Sequence, residues 1–153
     1  MSKKILELLE PSAIRLQIKA DDHAAVIMQL GNLLYQAGYV RGSFVQAALD
    51  REGELPTGLP LEGDYNAAIP HTDIQHVIKP GLALATLSSP VIFQNMISPE
   101  EGVPVRLVIL MALDQPKSQV EMLQEIALVL QNPKTIEKLI MARTLEEIKK
   151  AFE

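Results

Sequence analysis

The chain has 153 residues, 48% of them hydrophobic and 22% charged, which is enough apolar material for one globular domain with a substantial core, and residues 1–153 are expected to form that single domain. A formal net charge of -5 supplies no basic field for a nucleic acid backbone, and no run of lysine or arginine offers a dock for anionic lipid. The lack of cysteine excludes disulfides and thiolate zinc sites, and Met1-Ser2-Lys3-Lys4 followed by Glu7 and Glu10 lacks the apolar core of a secretory signal, so the expected location is cytoplasmic.

Residues 4–10 suit a short helical turn closed by Pro11, after which Ile14, Leu16 and Ile18 alternate with polar residues as a strand with one buried face. Asp21 or Asp22 can cap a helix whose apolar positions are Ala24, Ile27, Met28, Leu30 and Leu34, with Gly38 where a helix terminates. Ser43 and Gln46 have capping-box spacing for a helix through Val45, Ala48 and Leu49 to about Glu52, which puts Arg51 in its last turn. Residues 53–64, dense in glycine, proline and acidic side chains, read as a surface loop lying like a lid beside the histidine that follows.

Runs 82–87, 91–93 and 103–113 are short and almost wholly apolar, as strands covered on both faces are. Ser118 and Glu121 have capping-box spacing ahead of a helix through Val120, Leu123, Ala127 and Leu130 that ends before Pro133. Asn132 with Pro133, and Thr144 with Glu147, mark two further helix starts. Strands interleaved with helices indicate an α/β sandwich with a mixed sheet flanked by helices.

The stretch Ala67-Ala68-Ile69-Pro70-His71-Thr72-Asp73 organises the chemistry. Pro70 fixes its own backbone and biases Ile69 toward an extended conformation, so His71 is expected at a well-defined strand end. An unperturbed imidazole titrates near pH 6.5, which leaves a sizeable neutral fraction free to attack an electrophile. The motif alone fits either a reactive histidine or a hydrogen-bonded structural one. His23, in the first turn of its helix beside two aspartates, reads as an exposed residue paired with carboxylates. His76 reads as a surface residue, with help in binding a phosphoryl group as the alternative. The spacing His71-x-Asp73-x-x-His76 is also part of a divalent-metal pattern, one that needs Glu62 or Asp64 to complete it. There is no Gly-x-Ser-x-Gly elbow for a serine hydrolase and no glycine-rich P-loop for nucleotide hydrolysis.

Arg51-Glu52, then Pro56-Thr57-Gly58-Leu59-Pro60, then Ala68-Ile69-Pro70-His71-Thr72, then an amphipathic helix after Asp114 occur in an order that resembles one family. The similarity is to the fructose/mannitol-type enzyme IIA proteins of the bacterial phosphoenolpyruvate-dependent sugar phosphotransferase system, most closely the galactitol-type branch, over residues 5–152. The resemblance implies the mannitol-type IIA fold. It implies that His71 accepts a phosphoryl group from the phosphocarrier HPr and passes it to a cysteine of a cognate galactitol-like IIB, and through it to the membrane IIC, with no metal, no other cofactor and no contact with the sugar.

A neutral imidazole suits that chemistry, because it attacks phosphorus well and the phosphoramidate leaves readily to a thiolate. Arg51 matches the family's Arg-Glu pair and would neutralise phosphoryl oxygens, although a last-turn arginine also complements the helix dipole. Thr72 would donate to the phosphoryl group or fix the imidazole, while Asp73 would orient an imidazole or make a turn. Many members of the wider family carry a second histidine where this chain has Gln119, and an amide donates a hydrogen bond but takes no proton. Phosphoryl stabilisation would then lean on Arg51, His76 or backbone groups. Leu55, Leu59, Leu61 and Ile74 read either as an apolar rim for both partners or as core. A regulatory module of the same fold, switched by histidine phosphorylation, and a small metal-dependent hydrolase using His71, Asp73 and His76 are the other readings.

Overall fold

A computed structural model describes residues 3–153. Among the described residues, five strands form one mixed sheet in the order β1-β4-β5-β3-β2, where β1 is Leu9–Ile18, β2 Gly58–Leu59, β3 Asn66–Ala68, β4 Gly81–Gln94 and β5 Gly102–Ala112. β4 and β5 are antiparallel neighbours at the centre, β1 runs parallel to β4, β3 runs parallel to β5, and β2 is an antiparallel edge on β3. The helices are α1 (Lys3–Leu8), α2 (His23–Gln36), α3 (Phe44–Glu54), α4 (Pro116–Val129), α5 (Pro133–Met141) and α6 (Leu145–Phe152). The α/β sandwich with a mixed sheet is therefore present.

Alternation over residues 82–87 of β4 and 107–112 of β5 builds two cores. Leu82 and Leu84 on β4, and Leu107, Ile109 and Met111 on β5, face one layer with α1, α4, α5 and α6. Ala83, Ala85 and Leu87, with Val108, Leu110 and Ala112, face the other layer with α2 and α3. These strands read as continuous apolar runs because both of their faces are covered.

Several local expectations need correction. The first helix ends at Leu8, because Leu9 already pairs with Leu82 in the sheet, and Pro11 is tolerated in an edge strand. Ile14 and Leu16 share a face, but Ile18 packs on the opposite one. The cause is Gln17, whose φ of 54° marks a register shift between Arg15 and Ile18, and a slip of one residue turns a side chain to the other face. Met28 and Val120 are exposed rather than buried, since Val26 and Met122 take the inward positions on α2 and α4.

Asp22, Asn132 and Thr144 cap their helices through side-chain oxygens as expected. Ser118 does not, because Pro116 at the first turn starts α4 earlier. Ser43 precedes α3 without making a cap hydrogen bond, and Gln46 donates to Asp50 instead of closing a box. Residues 53–64 are not a surface lid. Helix α3 runs on to Glu54, Pro56, Thr57 and Gly58 are buried, and β2 joins the sheet.

Candidate active site

His71 stands where two parallel strands end together. Beyond Ala68 the chain stays against β5, since the Met111 N–H donates to the Pro70 carbonyl at 3.0 Å, and on its other flank the Ile69 N–H donates to the Thr57 carbonyl at 3.4 Å. Ile69 and Pro70 are buried, and the chain reaches the surface at the half-buried His71. The carboxyl edge of such strands is the usual place for a site, because the loops that leave it carry the variable side chains.

One hydrogen bond holds the imidazole. Nδ1 lies 3.0 Å from the Ile69 carbonyl oxygen. A carbonyl only accepts, so Nδ1 carries the hydrogen and Nε2 keeps its lone pair. Burial pushes the His71 pKa below the ordinary 6.5, the Ile69 bond opposes this, and the nearby charges of Arg51 and Asp73 pull down and up respectively. The ring is therefore neutral at neutral pH, with its free lone pair on Nε2.

Arg51 reaches the same place from the last turn of α3. Its Nη1 lies 3.4 Å from Asp73 Oδ1, an ion pair with the aspartate well exposed. Its Nε is buried and has no hydrogen-bond partner. A buried donor left unmade costs about 1–3 kcal/mol, so an arriving anionic oxygen would recover that cost. Arg51, Thr57, His71, Met96, Pro99 and Leu123 line a cleft of 270 Å³, below the roughly 300–1,000 Å³ of small-molecule sites. A second hollow of similar size, lined by Leu128, Val129 and Phe152, lies against α4 and α6 and contains none of the site residues.

Thr72 is buried, and its carbonyl accepts from Gln119 Nε2 at 2.6 Å. The structure thus brings Gln119 to the histidine loop, where it braces the residue after His71. His76 is not part of the cleft. Its Nδ1 lies 2.7 Å from Ser43 Oγ, at the end of α3 opposite Arg51, about 12 Å along the helix at 1.5 Å per residue. The set His71, Asp73 and His76 is therefore not assembled, Glu62 and Asp64 are exposed, and among the described residues no three of His, Cys, Asp or Glu converge as metal ligands. His23 is half-buried with its ring 5.5 Å from that of Phe93, not exposed among carboxylates, and Asp22 is occupied in capping α2.

Leu59 and Leu61 pack against the core, whereas Leu55 is 56% exposed and Ile74 is half-buried. Glu52 and Thr57, to which the sequence assigns no role beyond their motifs, matter here. Glu52 is 5% exposed and accepts from both the Thr57 N–H and the Thr57 hydroxyl, each at 2.8 Å, and burial pushes its carboxyl up to about 7 against the pull of those bonds. The signal is present in the spacing, since Phe44, Ala48 and Glu52 recur every four residues and put the carboxylate on the buried stripe of α3.

Residues 7–153 match the family model described as "Phosphoenolpyruvate-dependent sugar phosphotransferase system, EIIA 2". The chain belongs to this EIIA 2 family. It is a phosphocarrier IIA protein, a phosphotransferase component. Among its relatives, the galactitol-specific EIIA component of Escherichia coli K12 is 32% identical over 127 residues, covering 83% of each chain. The mannitol-specific enzyme IIA component of Staphylococcus aureus Mu50 is 27% identical over 150 residues, covering 96% of each. Escherichia coli mannitol IIA, solved in complex with phosphorylated mannitol IIB, superposes with a TM-score of 0.78 at 28% identity, over 94% of this EIIA 2 chain and 96% of that one.

Proposed function

We propose that His71 Nε2 is the atom that carries the phosphoryl group, taken from phospho-HPr and handed to a cysteine of a cognate, galactitol-like IIB. The observation that carries this reading is the Nδ1 hydrogen bond to the Ile69 carbonyl, which leaves Nε2 unprotonated and aimed away from the backbone. In the first step the Nε2 lone pair forms the new P–N bond while the donor's P–N bond breaks and its nitrogen keeps the electron pair. Positive charge rises on the His71 ring, and the Ile69 carbonyl facing Nδ1–H stabilises it. In the second step a thiolate attacks phosphorus and Nε2 regains its lone pair. No external proton is needed in either direction.

Arg51 supplies the charge that phosphoryl oxygens need, through the buried Nε and the Nη1 now resting on Asp73. Gln119 keeps the loop in place by holding the carbonyl of the buried Thr72, the residue that follows His71. Exposed Leu55, Ile97 and Val120 adjoin residues that line or brace the cleft and form the apolar rim on which each partner docks in turn. The relative solved with phosphorylated IIB supports the second partner.

The reading is tested by incubating the protein with phosphoenolpyruvate, enzyme I and HPr, then adding IIB. Acid-labile label on the wild type, none on His71→Ala, and onward transfer to the IIB cysteine are expected. Equal labelling of His71→Ala would move the acceptor elsewhere, and label that stays put in the presence of IIB would favour the regulatory module.

A further inference from the structure

The carboxylate of Glu52 lies one residue from Arg51, buried, and outside the phosphoryl-transfer chemistry described above. It is nonetheless connected to the imidazole by hydrogen bonds that follow one another through the backbones of Thr57 and Ile69. Thr57 donates its N–H and its hydroxyl to the two Glu52 oxygens, the Ile69 N–H donates to the Thr57 carbonyl, and His71 Nδ1–H donates to the Ile69 carbonyl. The saturated Cα of Thr57 and of Ile69 separates successive bonds, so what passes along them is position: holding Thr57 sets where its carbonyl receives Ile69, and holding Ile69 sets where its carbonyl receives the imidazole. Thr57 is held from the other side as well, because Gly58 pairs with Ala68 in the sheet and its carbonyl accepts from the Met96 N–H at 2.9 Å.

We propose that Glu52 is a positioning residue for His71: through Thr57 and Ile69 it holds the imidazole in the Nδ1–H tautomer and aims Nε2 into the cleft. This rests on His71 Nε2 being the phosphoryl acceptor. The device works in either protonation state of Glu52. An ionised carboxylate accepts both Thr57 bonds, and a protonated one donates to the Thr57 hydroxyl oxygen while still accepting from the Thr57 N–H, because a hydroxyl serves as donor or acceptor. An amide at this position can make the same two bonds, whereas alanine makes neither.

The test uses the full chain, labelled with 15N, and reads the tautomer of His71 from imidazole proton-nitrogen correlation spectra in the absence of any partner. Transfer from phospho-HPr is then followed on the same samples, all checked for native circular dichroism. The wild type should show the Nδ1–H tautomer. In Glu52→Ala, and in the near-isosteric Thr57→Val, the Nε2–H tautomer should become populated and kcat should fall by about tenfold or more at unchanged KM for phospho-HPr, because small misplacements of a reacting atom cost rate rather than docking. Glu52→Gln and Thr57→Ser keep the bonds and should restore both readouts. Folded Glu52→Ala or Thr57→Val protein that keeps the Nδ1–H tautomer and the wild-type kcat would overturn the proposal. Wild-type protein that phospho-HPr does not phosphorylate would instead refute the acceptor assignment, and the tautomer measurement would still judge the role of Glu52.

Discussion

At the scale of single residues, burial acts on two groups beside the cleft in opposite directions. It lowers the His71 pKa and keeps the ring neutral, and it raises the Glu52 carboxyl from 4.5 to about 7. The raised Glu52 carboxyl has a consequence for stability. Between pH 4.5 and about 7 the folded protein holds a proton that the unfolded chain has released, so this group's contribution falls as pH rises through that window and is constant above it. Glu52→Gln has no such titration. Its stability relative to wild type should therefore rise by roughly 3 kcal/mol between acid and mildly alkaline pH, since each tenfold change in proton affinity is worth about 1.4 kcal/mol. Denaturant unfolding across that range measures it, and parallel stability curves for the two proteins would contradict the assignment.

At the scale of elements, the site depends on the two-residue strand β2 lying against the end of β4. A Cβ added at Gly58 would meet the Gln94 carbonyl oxygen at 2.6 Å and the Phe93 carbonyl oxygen at 3.1 Å, and backbone cannot swing aside as a side chain can. Gly58→Ala should cost about 1–3 kcal/mol and should also slow phosphoryl transfer, since Thr57 is its neighbour. Gly53, in contrast, sits in α3 with open space around it, and Gly53→Ala should be stabilising by about 0.5–1 kcal/mol with transfer unchanged. Urea unfolding separates the two.

The same contrast shows what can be read from the chain alone. The central strands are legible because an apolar run covered on both faces has no other stable place. β2 is not, because its residues look like a loop and only the approach of Gln94 and the pairing with Ala68 make them a strand. The face of Ile18 escapes the alternation pattern because one left-handed residue, Gln17, reverses it. His71 and Arg51 stand out through the order of their motifs, and the structure lines one cleft with both. Gln119 is also located by its place in the chain, but its partner, the Thr72 carbonyl, is a backbone atom that no sequence motif records. A phosphoryl-binding role for His76 rests on its following His71 by five residues, and the short turn Ile74–His76 instead delivers it to Ser43.

At the scale of the whole molecule, the sheet separates two cores, and the histidine sits at an edge where β3 and β5 end, supported by both layers. Leu84 belongs to one core and Leu110 to the other, each fully buried. Leu84→Ala and Leu110→Ala should each cost about 2–5 kcal/mol through lost burial and the cavity left behind. Their side chains point to opposite faces, yet the ladder pairs Leu84 with Ile109 and Ala83 with Leu110, so the two positions share backbone and the double variant should depart from additivity by more than about 0.5 kcal/mol, whereas additive costs would mean that the sheet insulates one layer from the other. What this scaffold holds in place is modest in extent: an imidazole with one nitrogen turned to a carbonyl, on a residue that lines the cleft together with an arginine whose buried Nε has no hydrogen-bond partner.

The most direct measurement is to phosphorylate the 15N-labelled protein with phosphoenolpyruvate, enzyme I and HPr, and to determine from nitrogen-phosphorus coupling which ring nitrogen of which histidine bears the phosphoryl group. Coupling at Nε2 of His71 is the expected result. Coupling at Nδ1 of His71, or at His23 or His76, would contradict the central claim.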